Sequence, residues 1–375
     1  MELTVKQKDL ARIMATARKV VNKKTTMPVL ANARLTAEDG TLTVMASNLE
    51  ISYEGSCAAE ITTPGAVATP AYTLSDFVAK AAAAEVHLKH APEGSQLLAK
   101  AGRTSAKLLT EDPENMPNLP EQDDAPPLEF EAVTLKKALQ YLIPATGDES
   151  HRGNNLDRVQ FVRHESGDGF ELGLVAMDGY RLHEVVLLPE GLSEIEIGKG
   201  VGISKAGALR LLDFCDDELV HVALSEGLVW VGRGDDQLYL HTVEGGYVTD
   251  YRVVLAGKPK ASLVIRREAL GAVLERIQPF TAHGNAFSLK ASNGIMTLLA
   301  RNIDAGEAEE SLEVETDGQI DVSLNAQYLT DAARGLDSDQ LEIGVFGFHD
   351  SPTPHVLVWG EADQGYKAMI ASMRL

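Results

Sequence analysis

Cysteine is almost missing from this chain: Cys57 and Cys215 are the only two in 375 residues. They lie in different thirds of the sequence, which excludes a disulfide framework and a cysteine-based zinc knuckle and suits a reducing compartment. Aromatic residues contribute only 5%. No apolar run approaches the roughly 18 residues of a membrane-spanning helix. Met1-Glu2-Leu3-Thr4 has no basic stretch leading into an apolar one, as a secretion signal would. The expectation is a soluble, cytoplasmic protein without a membrane partner. Positive charge is scarce too: 34 Lys and Arg face 55 Asp and Glu, for a net charge of -21. Such an excess repels nucleic acid in general, so any local concentration of basic residues becomes informative.

What the chain does have is a long-period repeat. Asp39-Gly40-Thr41-Leu42-Thr43-Val44-Met45-Ala46, Asp168-Gly169-Phe170-Glu171-Leu172-Gly173-Leu174-Val175-Ala176 and Asn293-Gly294-Ile295-Met296-Thr297-Leu298-Leu299-Ala300 each run from a turn into an apolar strand. The shared alanine falls at 46, 176 and 300, intervals too long for a solenoid or propeller and right for repeated domains. Two linkers agree. Glu111 to Glu131 holds Pro113, Pro117, Pro120, Pro126 and Pro127 among acidic residues, and Ala256-Gly257-Lys258-Pro259 marks a second break. The reading is three similar domains, 1–125, 126–256 and 257–375, of α+β class. In each, two helices pack on antiparallel strands. First helices align from Leu3, Val133 and Leu263 onward, with Leu10, Leu139 and Leu270 at matching points. Second helices are predicted near Tyr72 to Ala84, Ser204 to Phe214 and Ala326 to Leu336.

The first helix segregates charge. Leu10, Ile13, Met14, Ala17, Val20 and Val21 share one face, while Lys8, Arg12, Lys19 and Lys23 share the opposite one. Lys6 to Lys24 contains seven basic residues against the single acid Asp9. A solvated helix face is the plain alternative. In so acidic a chain, however, basic helices lining a hole, with acidic sheets outside, would reconcile the net charge with a phosphate backbone carrying one charge per about 1.7 Å of duplex. Lys136, Lys137, Lys205 and Arg210 extend the trend in the second third, and Arg267, Arg276 and Arg334 in the last.

The signatures of an enzyme are weak. In Gly198-Lys199-Gly200 the lysine is followed by glycine rather than the Ser or Thr of a phosphate loop. Gly202-Ile203-Ser204-Lys205-Ala206-Gly207 is one residue too long for a nucleophile elbow. His87 and His90 lack the helical spacing of a metal pair. No catalysis, cofactor or metal is expected.

Over its whole length the chain resembles the bacterial sliding clamps, the β subunit family of DNA polymerase III. The resemblance rests on Met27-Pro28-Val29-Leu30, Asp39-Gly40-Thr41-Leu42, Asn48-Leu49-Glu50, Asp148-Glu149-Ser150 with Arg152 and Leu156, Ala176-Met177-Asp178-Gly179-Tyr180-Arg181-Leu182, Asp250-Tyr251-Arg252 and Met373-Arg374-Leu375. It implies a DNA-clamp fold, with two chains closing a six-domain ring on duplex DNA without sequence preference. It also implies a hydrophobic peptide cleft between domains II and III. That cleft would receive short linear motifs of the polymerase III α subunit, the clamp loader, other polymerases and repair proteins. By position, its lining would be Leu156, Met177, Gly179, Tyr180, Arg181, Leu182, Thr249, Val254, Met369, Met373, Arg374 and Leu375. Core packing is the alternative for Met177 and Leu182. DNA contacts would come from Lys8, Arg12, Lys19, Lys23, Lys24, Arg152 and Lys205. The dimer seam would bring Arg103, Lys107 and the apolar Leu108 against Phe280, Glu307, Glu309 and Glu310, opposite charges that set register and encounter.

The chain also departs from the family. Thr249 and Ser372 stand where proline is usual, and Val253 where a second arginine is frequent. Asn154 and Asn155 replace aromatic residues, and Ala106 stands at a frequently aromatic seam position. These departures imply an altered cleft with its own partner preference, and leave open a specialised or mobile-element paralogue acting as scaffold or inhibitor.

Overall fold

The computed structural model spans residues 1–375 and describes all of them except 92–93, 123, 149, 151–153, 168, 199, 217–218, 244, 246–249, 282–283, 348–353 and 374–375. The chain divides into two compact units, Met1–Val133 with Leu209–Thr242, and Thr134–Ala208 with Val243–Leu375. The central third thus contributes to both units.

Each unit is organised by one long antiparallel sheet. In the first, a path of nine strands runs from Thr104–Leu109 through Gln96–Ala101, Glu85–His90, Glu2–Lys6, Ile51–Thr63, Asp236–His241, Leu228–Arg233 and Leu219–Leu224 to Leu128–Glu131. Strands from distant sequence meet where Ile51–Thr63 pairs with Asp236–His241, in the register Ile51 to Leu240 and Tyr53 to Leu238. In the second unit a nine-stranded sheet joins Arg158–Ser166, Gly169–Met177 and Arg181–Leu187 to Tyr366–Ala371, His355–Gly360 and Gln340–Phe346. The junction pairs Leu182 with Met369. A separate four-stranded sheet runs Gly306–Glu313, Ile295–Asn302, Ala286–Ser292, Ile320–Asn325.

Six helices are described: α1 (Gln7–Val20), α2 (Ala71–Ala79), α3 (Ala132–Leu142), α4 (Lys205–Phe214), α5 (Arg267–Ile277) and α6 (Ala326–Arg334). The apolar stripe of α1 buries Leu10, Ile13, Met14, Ala17 and Val20, as its periodicity predicts. The segments Leu3–Lys6 and Leu263–Arg266 are strands rather than helix. Glu2–Lys6 alternates half-buried and buried residues, with Leu3 and Val5 inward, and bonds to strands on both sides. Period two wins there. Helix starts at Gln7, Ala132 and Arg267 make Leu10, Leu135 and Leu270 the equivalent positions, all fully buried; Leu139 lies one turn further along α3.

The repeated turn has a backbone cause. Asp39 and Gly40 have φ of 48° and 77°, and Asn293 and Gly294 have 52° and 79°. Two successive positive φ values are what a two-residue hairpin of type I′ requires, and Asp-Gly and Asn-Gly reach them at little strain. Ala46, Ala176 and Ala300 follow in equivalent strands, each fully buried.

Candidate functional site

The second unit carries an apolar groove at the junction of its long sheet. Met177 ends one strand and Leu182 lies in the next. Between them the chain turns through Asp178, whose Oδ1 accepts from Tyr180 N at 2.9 Å and Arg181 N at 3.0 Å. Gly179 takes φ 91° in this corner. A Cβ there would meet Leu156 at an ordinary 3.6 Å, so it is the backbone angle that calls for glycine. Leu182 pairs with Met369 across the junction, and the 3-10 turn Tyr251–Leu255 closes one wall with Val254. The groove holds about 270 Å³ and is lined by Asn154, Leu156, Met177, Gly179, Arg181, Leu182, Asp250, Tyr251, Val254 and Met369. Beneath it a core of Val175, Leu182, Tyr251, Leu255, Phe346 and Leu357 fixes the floor.

Seven of the twelve residues expected from the resemblance therefore converge: Leu156, Met177, Gly179, Arg181, Leu182, Val254 and Met369. Tyr180 is not among the residues lining the groove; it sits at the corner's tip, 62% exposed, held by its backbone, whose N–H donates to Asp178 and whose carbonyl accepts from Ala371 N. Met373 is turned elsewhere, its N–H donating to Ser323 O at 2.7 Å and its methyl lying against Gly284. Thr249, Arg374 and Leu375 fall outside the described residues. Position-matching missed Asn154, Asp250 and Tyr251, although Asp250-Tyr251-Arg252 was among the motifs carrying the resemblance. Met177 and Leu182 serve groove and core together, so the two readings of these residues are not alternatives.

Electrostatics hold the walls. Arg181 donates to Asp178 at 3.0 Å, to Asp331 at 2.5 Å and to Pro144 O, with its guanidinium 4.2 Å from the Tyr328 ring centre. The Tyr251 hydroxyl donates to Glu184 at 2.9 Å and meets His164 Nε2 at 2.7 Å. Burial and the Glu184 charge push that phenol far above its ordinary range, so it stays a neutral donor. Arg252 bonds Glu184 at 3.0 Å and Glu171 at 3.3 Å, anchoring the turn from the other side. Burial keeps His164 below its usual value, and the buried His183, bonded to Tyr141 O, is lowered to about 4.

In the first unit the basic face of α1 is partly spent. Arg12 pairs with the buried Asp236 and Ser56 O; Lys19 pairs with Asp213 at 3.1 Å. Lys8, Lys23 and Lys24 are exposed and have no ion pair among the described residues. In the second unit Lys205 donates to Thr146 O at 3.0 Å, and Arg152 lies outside the described residues. Part of the wider basic set is also engaged: Lys137 with Asp337 and Asp363, Arg210 with Asp213, Arg276 with Glu310.

Thr104–Leu109 ends the first unit's sheet path, and Gly306–Glu313 ends the four-stranded sheet. Arg103 and Lys107 are exposed, and Phe280 is half-buried. Leu108 is 3% exposed and cannot offer a surface contact; strand alternation turns Leu109, 68% exposed, to the outside instead. Glu307 and Glu310 are already paired with Arg301 and Arg276, and among the described residues Glu309 has no ion pair.

Among the described residues no group of three or more His, Cys, Asp and Glu could hold a metal ion, and no helix is long and apolar enough to cross a membrane. A strand-rich α+β chain with a repeated hairpin-and-helix plan and an apolar groove walled by distant strands has the form of a binding subunit. Comparison with known proteins makes this specific. The family models for the DNA polymerase III beta subunit match residues 1–120 (N-terminal domain) and 252–374 (C-terminal domain). A beta sliding clamp of Caulobacter vibrioides is 27% identical over 398 residues, covering 100% of both chains, and that of Escherichia coli is 25% identical over 351 residues, covering 92% of each. The solved structure of Caulobacter crescentus pol III beta matches with a TM-score of 0.91 at 25% identity, covering 100% of both chains. The chain belongs to the bacterial DNA polymerase III β subunit family, the sliding clamps, as a divergent member: a processivity factor rather than an enzyme.

Proposed function

We propose that two copies of the chain, each of three clamp domains (1–125, 126–256, 257–375), close a ring around duplex DNA in the cytoplasm. Through the groove the ring tethers the polymerase III α subunit, the clamp loader, other polymerases and repair proteins. The groove carries this reading. Leu156, Met177, Leu182, Val254 and Met369 offer an apolar lining to a Leu or Phe anchor, and a few polar groups at the edge fix its orientation. No cofactor is needed, because tethering is a matter of geometry and contact rather than bond chemistry.

The seam would pair the edge strand Thr104–Leu109 of one copy with Gly306–Glu313 of the other. Each presents unpaired backbone groups that a second strand would satisfy. Lys107 and Arg103 on one side complement Glu309 on the other. DNA contacts would come from Lys8, Lys23 and Lys24, with Lys205 and Arg152 supporting, all reading backbone only. A closed ring is held by topology, so few phosphate contacts suffice. The test is retention after loading: protein should stay on circular DNA and slide off the linearised form, at a solution mass twice the 40.3 kDa chain. Equal loss from both forms would refute encirclement.

A further inference from the structure

Among the described residues, the polar edge of the groove is short of usable positive charge. Arg181 is the cation in the described lining, and every guanidinium nitrogen is taken: Nε by Asp178, Nη1 by Asp331, Nη2 by Pro144 O. The Tyr328 ring covers its flat face, and the side chain is only 10% exposed. Two carboxylates share this one guanidinium, so the cluster carries excess negative charge. On the facing wall Asp250 is exposed. Its Oδ1 accepts from Arg252 N at 3.1 Å, and among the described residues no cation lies within 4.0 Å of its carboxylate. Arg252, two residues on, turns away to Glu184 and Glu171. The next position is Val253, 64% exposed, and Asn154 adds no charge.

Among the described residues, a carboxylate carried into this groove would meet Asp250 and find the lining cation, Arg181, occupied. An ammonium or guanidinium group would meet an open partner. We propose that the groove discriminates among apolar-anchored segments by charge, favouring one with Lys or Arg beside its anchors over one with Asp or Glu, with Asp250 as the residue that reads the difference. This deepens the peptide-groove reading above and rests on it.

An exposed ion pair contributes about 0.2–1 kcal/mol, up to about fivefold in affinity, and exchanging a lysine for a glutamate turns attraction into repulsion. Fluorescence anisotropy with the full chain and two labelled peptides tests this. Both carry the same Leu and Phe anchors, one flanked by lysines and the other by glutamates, at low and high salt. The expected result is about fivefold tighter binding of the lysine-flanked peptide at low salt, converging as salt screens the contact. Asp250→Asn, whose amide oxygen still caps Arg252 N, should cut that ratio by about half or more. Equal binding of both peptides, preference for the glutamate-flanked one, or an unchanged ratio in Asp250→Asn would overturn the charge assignment alone. Binding of neither peptide would overturn the groove reading and the assignment with it.

Discussion

Neighbouring leucines on one edge strand should fail in different ways. Leu108 is 3% exposed and Leu109 68% exposed, because successive side chains of a strand point to opposite faces. Truncating Leu108 to alanine removes buried methyls from a packed site, at a cost of about 2–5 kcal/mol to folding. Leu109→Asp changes an exposed position and should move folding stability by no more than about 0.5 kcal/mol. Its effect belongs to the seam, where it sets a carboxylate beside Lys107 and opposite the acidic strand Gly306–Glu313 of a second copy. A head-to-tail ring closed by two chains has two identical seams, so each substitution acts twice. At about 1 kcal/mol per seam the dimer weakens by about 2 kcal/mol, roughly 30-fold in dissociation constant. Light scattering across a dilution series should show Leu109→Asp dissociating at higher concentration than wild type, with an unchanged urea midpoint. Leu108→Ala should lower the midpoint first. If Leu109→Asp keeps the wild-type dilution curve, the seam does not use this face. If Leu108→Ala unfolds like wild type, the strand's phase is wrong.

Removing Arg181 with alanine leaves Asp178 and Asp331, each 13% exposed, without their shared cation, and should cost up to about 3 kcal/mol in chemical denaturation; a loss below about 1 kcal/mol would show the cluster to be solvated. Lys8→Ala, Lys23→Ala and Lys24→Ala should each lower the salt slope of duplex binding by about 0.9 per chain without affecting folding. Arg12→Ala should instead act on stability, since it removes one of the two guanidinium partners of the buried Asp236 and leaves Arg233, at 3.1 Å, as the other; a slope change equal to the lysines' would make Arg12 a phosphate contact. His183 is held neutral, with its value lowered to about 4, while the unfolded chain titrates near 6.5. Between those values the unfolded state binds more protons, so stability falls on acidification, by about 2 kcal/mol from pH 7.5 to 5. His183→Gln should remove that share of the slope in urea melts. Asp363, drawn down to about 2 by Lys137, Ser338 and backbone N–H groups despite its burial, contributes stability present above the unfolded value near 4 and lost as pH falls toward 2. Asp363→Asn should flatten that acid limb.

What the sequence revealed and what it hid divide along a physical line. The stripe of α1, the Asp-Gly and Asn-Gly hairpins and the buried alanines were legible because each depends on residues within one or two turns of each other. The groove was legible only as positions matched to a family. Its walls come from strands nearly 200 residues apart, and no local period marks Met369 as the neighbour of Leu182. Asp250 and Tyr251 escaped for a related reason: a tyrosine whose hydroxyl is committed to Glu184 and His164 gives no sign in sequence that its ring walls a cavity. The basic face of α1 misled in a specific way. A helical wheel shows which side a cation takes but not what waits there, and the partners of Arg12 and Lys19, Asp236 and Asp213, are about 200 residues away. Counting basic residues therefore overstates the charge available to phosphate; of the lysines expected to face it, Lys8 in the first turn and Lys23 and Lys24 beyond the helix keep theirs. The same reasoning applies at the seam, where Glu307 and Glu310 looked available until Arg301 and Arg276 claimed them. In a chain this acidic, the informative quantity is which charges remain unpaired after folding, and that is set by long-range contacts that local pattern does not encode.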